Sequence, residues 1–266
     1  MKVKLRTIIF ILLFTVINTG FSQNFFKNPE SVVFDKSGDR YLVSNKGNGN
    51  IISVQKDGKQ SVFNSDQSSI RGLTIVDNVL YAACNMGVAG FNLKTGKRLF
   101  VIDIKEKKFL NDITSDAEGN LYVSDTGGNR IYKIDPEKRN YKMFTENIKG
   151  PNGLLFDEDK NRLLACLWGA NGSIMSIDMN TGKASLILKT KFSGLDGLAK
   201  DRRGRIYLSS WGSGTVYRFS SNFKIPPEKI SKGHNGPADI FFNKDENVLA
   251  VPNFKANMVD FIKVKE

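Results

Sequence analysis

Between residues 111 and 135 the chain reads NDITSDAEGNLYVSDTGGNRIYKID. Apolar and polar positions alternate in three short runs, Asp112 to Ser115, Leu121 to Ser124 and Arg130 to Ile134, rich in β-branched and aromatic residues. An Asp-Ala-Glu-Gly turn separates the first two, and a loop around Gly127 and Gly128 separates the next pair. Alternation bounded by Gly, Asn and Asp is the pattern of antiparallel strands joined by tight turns. The stretch recurs from Pro29-Glu30, Arg71-Gly72, Pro151-Asn152, Leu195-Asp196 and Pro237-Ala238. With Glu30, Arg71, Asn111, Asn152, Asp196 and Ala238 taken as equivalent, the spacings are 41, 40, 41, 44 and 42 residues. A period near 40 with four strands per unit predicts an all-β fold, a six-bladed β-propeller with four-stranded blades.

Within each unit, an aliphatic residue stands two positions after the reference column: Val32, Leu73, Ile113, Leu154, Leu198 and Ile240. These are expected to pack blade on blade. Fourth strands are expected over 61–63, 98–104, 141–144, 184–188 and near 223–225. The sixth unit ends at its third strand, 258–264. Residues 23–26 are free to add the fourth and close the ring, which would remove an open sheet edge; a three-stranded last blade is the simpler alternative.

The first 22 residues break the pattern. Lys2, Lys4 and Arg6 precede an apolar run from Ile8 to Ile17, and Gly20 and Ser22 supply small residues before Gln23. This is the layout of a secretory signal peptide, with an uncleaved anchor as the alternative. The run is shorter than the roughly 20 residues of a membrane span. The expected organisation is therefore a leader over 1–22 and a propeller over 23–266, in a secreted or periplasmic protein without a transmembrane segment. The net charge is +12, three of it in the leader; the remaining basic residues are scattered over all repeats, without the concentrated stripe that nucleic acid would require. Cys84 and Cys166, two repeats apart, are expected to be buried free thiols.

In a propeller the innermost strands surround the axis, so equivalent residues at their heads form a ring. Glu30, Asn111, Asn152 and Asp196 would bring two carboxylates and two amides to one channel mouth. Hard oxygen donors in this number suit Ca²⁺, with Mg²⁺ or Mn²⁺ as alternatives. Each is also an ordinary turn residue beside Gly or Pro, but carboxylates aimed into a narrow channel need a cation or donor to offset their desolvation. His234 is the only histidine; alone in a glycine-rich loop, it is expected at the surface. No Ser-His-Asp set and no phosphate-cradling glycine motif accompanies it.

On these residues the chain resembles the gluconolactonase and regucalcin (senescence marker protein) family, related to diisopropyl fluorophosphatase and paraoxonase. The resemblance covers all six units. Its carriers are Glu30 opening the first blade, the Asn111-Asp112 pair, Pro151-Asn152-Gly153, and Asp196 before Gly197. It implies a calcium ion held by Glu30, Asn111, Asn152 and Asp196. It also implies metal-assisted hydrolysis of a small lactone or ester, with Asp196 as base or nucleophile. Asp112 would support the ligands at the substrate side, and Trp211, in Ser210-Trp211-Gly212-Ser213, would line the substrate site. Arg71 departs from the pattern: it would bind an anionic substrate group, turn to a carboxylate, or replace the metal. The compact units and the run Leu121 to Arg130 also resemble NHL repeats. That implies a non-catalytic propeller binding a protein, glycan or small ligand on its loop face, with an Asp125–Arg130 contact stapling the blade.

Overall fold

The computed structural model describes residues 23–65 and 69–265; the leader expected over 1–22 lies outside the described residues. Six antiparallel sheets follow one another along the chain, five of four strands and the last of three. The innermost strands are Pro29–Asp35, Leu73–Val76, Leu110–Ser115, Pro151–Asp157, Leu195–Lys200 and Phe241–Asn243, and each pairs with the strand that follows it. We number the blades 1 to 6 in chain order. Among the described residues no helix is long and apolar enough to cross a membrane.

The core is divided into six apolar clusters, one at each interface between neighbouring blades. Every cluster contains one of the six column aliphatics predicted to pack blade on blade, and all six are buried. A β-sheet needs a covered face, and here each blade covers the next.

Two expectations are corrected. Blade 5's outer strand is Glu228–Lys232, not the region of 223–225. Pro226 and Pro227 lie just before it, and proline has no N–H to give a ladder. Residues 23–28 form no strand, so blade 6 stays three-stranded. They lie instead as a strap across blades 1 and 6. Phe26 packs in the cluster containing Val32, Val43 and Ala250, and the Asn28 N–H donates to Asn257 Oδ1 at 2.7 Å. Asn24 reaches the Asn257 carbonyl at 2.9 Å, and Asn45 reaches the Phe25 carbonyl at 2.8 Å.

Candidate active site at the channel mouth

In blades 1, 3, 4 and 5 the pairing register slips at the head of the innermost strand, between Pro29 and Val32, Leu110 and Ile113, Pro151 and Leu154, and Leu195 and Leu198. These are the four blades that carry Glu30, Asn111, Asn152 and Asp196. A bulge re-aims side chains and leaves a backbone N–H without its ladder partner. Second-strand side chains answer that need. Ser44, Ser124 and Ser209 accept the N–H of Ser31, Asp112 and Gly197 at 2.9, 2.9 and 2.7 Å. In blade 4 the equivalent is Cys166, which receives the Gly153 N–H and whose thiol donates to the Asp196 carbonyl at 3.1 Å. Blade 2, without the slip, has Ala83 there; blade 6 slips too, between Pro237 and Phe241, and has Pro252 there. Both cysteines are free and buried, as expected.

The bulges turn two successive side chains toward the axis, in two levels. The outer level holds Glu30, Asn111, Asn152 and Asp196, all buried. The Asn111 amide donates to Asn152 Oδ1, and Asn152 Nδ2 donates to the Leu195 carbonyl at 3.0 Å and to the Asp196 carboxylate. Burial raises the Glu30 carboxyl well above its ordinary range, and the charges of Asp196 and Asp112 push the same way. Asp196 is pushed up to about 8 by burial and the Asp112 charge, against the Asn152 hydrogen bond and the Lys46 ammonium.

The inner level holds Asp112 and a residue the sequence reading missed, Asp239, whose carboxyls hydrogen-bond to each other. Burial pushes Asp112 up to about 7, although it accepts the Leu154 and Ile113 N–H groups at 2.6 and 2.7 Å. Asp239 is raised by burial and by Asp112, against the Ser31 hydroxyl that donates to it at 2.5 Å. The signal for Asp239 was its place beside Ala238, equivalent to that of Asp112 beside Asn111. A cavity of about 610 Å³ runs down the channel from this level, away from the strand heads, and Asp112 and Asp239 face it.

Arg71 is buried in the wall of blade 2. Its guanidinium donates to the Leu110 carbonyl at 3.0 Å and to Asn85 Oδ1 at 2.6 Å, and stacks 4.2 Å from the Phe109 ring centre, with Nε left without a partner. Two corrections concern other expected residues. His234 is buried, bonded to Ser231 Oγ at 2.8 Å and Asn253 Oδ1 at 3.1 Å, and 3.0 Å from Asp260. Asp125 forms no ion pair with Arg130. It accepts the Lys108, Phe109 and Gly128 N–H groups instead, while Arg130 Nε donates to the Gly128 carbonyl. Fixing three loop amides serves the buried Asp125 carboxylate better than one ion pair at the blade's edge.

A second ring surrounds the mouth. The residue just after each second strand is Lys46, Asn85, Thr126, Trp168, Trp211 or Phe254. In five blades its N–H bonds the carbonyl two residues before the reference column: Lys46 to Asn28, Thr126 to Phe109, Trp168 to Gly150, Trp211 to Gly194 and Phe254 to Gly236, at 2.8 to 3.0 Å. Trp168 and Trp211 meet edge to face at 5.9 Å, and Trp211 and Phe254 at 5.2 Å. The indoles sit over Gly194 and Gly236, where a Cβ would lie 3.0 to 3.4 Å from their carbons. Lys46 Nζ lies 5.3 and 5.8 Å from the Phe254 and Phe109 ring centres, and Lys255 Nζ lies 5.1 Å from Trp211. Trp211 is thus in the rim. Lys46, Phe109, Trp168 and Phe254 were missed, although a column drawn one residue past the second strands picks out all but Phe109.

Among the described residues no three His, Cys, Asp or Glu side chains could hold a metal by themselves. The outer level would have to combine its carboxylates with amide oxygens, a hard-oxygen set that fits Ca²⁺. Its carboxyls are desolvated and mutually repelling, the situation a bound cation relieves.

Known structures place the fold. A regucalcin from Agrobacterium tumefaciens, described as a calcium-binding protein, is 19% identical with a TM-score of 0.72, over 86% of this chain and 83% of that one. A gluconolactonase from Xanthomonas campestris is 16% identical with a TM-score of 0.75, over 91% and 88%. The virginiamycin B lyase of Staphylococcus aureus is 15% identical with a TM-score of 0.63, over 92% and 86%. At these identities the likeness is one of fold. No curated protein matches the chain. Residues 28–245 match the family described as the SMP-30/gluconolactonase/LRE-like region, and the chain belongs to that family.

Proposed function

We propose that the chain is a metal-dependent hydrolase of small lactones or esters, with Ca²⁺ as the metal and Mg²⁺ or Mn²⁺ as alternatives. One observation carries the reading: two buried carboxyls and two buried amides stand together on four bulged strand heads. Membership of a family described by gluconolactonase, and a fold neighbour described as calcium-binding, support it. Location outside the cytoplasm is proposed on the leader alone.

Glu30, Asn111, Asn152 and Asp196 would hold the ion. A half-turn of the Asn111 amide would present its oxygen beside that of Asn152. When bound, a divalent cation supplies a Lewis acid for the substrate carbonyl and keeps the carboxylates ionised. Asp196 would then take a proton from water or attack the carbonyl carbon itself. Asn152, anchored on the Leu195 carbonyl, orients Asp196. Asp112, held by two backbone N–H groups and Asp239, supports the outer level from below.

The test is calorimetric titration of EDTA-treated protein with Ca²⁺, alongside hydrolysis of a γ-lactone. Wild type should bind one ion per chain. Glu30→Gln should lose that binding, and Asp196→Asn should retain its fold with turnover reduced at least about 100-fold. Absence of Ca²⁺ binding and turnover in wild type would favour the competing reading, a non-catalytic propeller engaging a protein, glycan or small ligand.

A further inference from the structure

The rim of the mouth has a charge pattern that the hydrolase reading does not use. Lys46 and Lys255 stand against aromatic faces; among the described residues neither has a carboxylate within ion-pair distance, although the Lys46 charge reaches Glu30 and Asp196 below it. A cation over a ring keeps its full charge, and a half-buried site screens it less than water does. Lys46 is not a wandering surface lysine. Its backbone is fixed to Asn28, and it occupies the position that in blades 4, 5 and 6 holds Trp168, Trp211 and Phe254. Trp168 is 44% exposed and Phe109 38%, although each belongs to this aromatic rim. Exposed aromatic faces supply contact area at little entropy cost, and an ammonium supplies a charge-assisted hydrogen bond to a carboxylate.

We propose that this mouth selects small organic anions: the substrate carries a carboxylate received by Lys46 and a ring-shaped body lying on the arc of Trp168, Trp211 and Phe254. For turnover the inference rests on the hydrolase reading; for binding it does not. Lys255 contributes long-range attraction, being exposed. Arg71 has two of its nitrogens committed to the wall and is not the anion's contact.

The chain has only two tryptophans, Trp168 and Trp211, and both lie at this rim. Intrinsic tryptophan fluorescence therefore reports occupancy of the mouth whether or not reaction follows. The probes are 5-oxotetrahydrofuran-2-carboxylate, an anionic γ-lactone, and its uncharged 2-carboxamide, read in the first seconds of mixing and then followed for hydrolysis. The carboxylate should change the fluorescence at lower concentration than the amide. Lys46→Ala should raise the carboxylate's half-saturating concentration about tenfold, as loss of one charge-assisted hydrogen bond would, and leave the amide's nearly unmoved. Lys46→Arg should restore the preference, and unchanged thermal melting of both variants checks the fold. Equal response to the two probes, a Lys46→Ala effect common to both, or no fluorescence response would overturn the proposal. Turnover of both lactones without charge preference would do so while leaving the hydrolase reading intact. Lys46-dependent binding without turnover would uphold the binding and remove the hydrolase reading for this lactone.

Discussion

Cys166 shows how much one position decides. It replaces the serine that blades 1, 3 and 5 use to receive the bulge N–H, and it keeps that contact while bridging to Asp196. Burial pushes its thiol well above the ordinary range, so it is a packing residue and not a reactive one. Cys166→Ser should change stability by less than about 1 kcal/mol, since a hydroxyl fills the same role in the sister blades. Ser209→Ala should cost about 2 kcal/mol by leaving the buried Gly197 N–H unpaired. Denaturant melts of the two variants compare them directly, and a costly Cys166→Ser would show that the sulfur itself is needed.

At the scale of the element, an aspartate holds the first turn of blades 1, 4 and 5. Asp35 accepts Arg40 at 2.9 Å, Asp157 accepts Arg162 at 2.8 Å, and Asp201 accepts Arg205 at 2.6 Å. Asp157 also receives Lys200 of blade 5 at 2.6 Å, so its carboxylate ties two blades together. Desolvation acts to raise Asp35 and Asp157, but the hydrogen bonds and cations around each win, and both are held below the ordinary carboxylate range. A carboxyl depressed in the folded state contributes stability above its unfolded value, and that contribution is lost as pH falls through the folded one. Asp157→Ala should therefore lower stability by about 2 kcal/mol at pH 7, between the exposed and buried ion-pair cases. The gap from wild type should close as pH falls below the ordinary carboxylate range and through the depressed folded value. Thermal melts across pH 2 to 7 read this, and a gap that persisted in acid would assign the effect to packing.

Across the whole molecule, the ring closes without a four-stranded last blade. The strap over residues 23–28 ties blade 6 to blade 1 through Phe26, Asn28 and Asn24. Blade 6 has fewer ladder bonds and an open outer strand, so it is the place where opening should start. Phe26→Ala should cost about 3 to 4 kcal/mol, and amide exchange should accelerate first over 241–263. Uniform acceleration over all six blades would show that the strap is not the weak closure.

The repeat, the blade count, the column aliphatics and the six strand-head residues were all legible in the chain, because each depends on local alternation and a period that survives divergence. So was the place of Trp211, one residue past a second strand. Asp239, Lys46 and Trp168 were equally present in the letters, but their meaning depends on which residues the bulges and loop hydrogen bonds turn toward one axis. His234 was misjudged, and for residues 23–26 the closing strand was preferred to the three-stranded last blade that the structure has, for a related reason: burial and strand pairing are settled by what lies opposite, and their partners are distant in the chain or missing from the local pattern. The sequence by itself determined six equivalent strand heads and the chemical types standing on them. Only the tertiary structure decided that four carboxyls share one desolvated axis while two lysines stand among the aromatics above it, since electrostatics depends on distance through space and not along the chain.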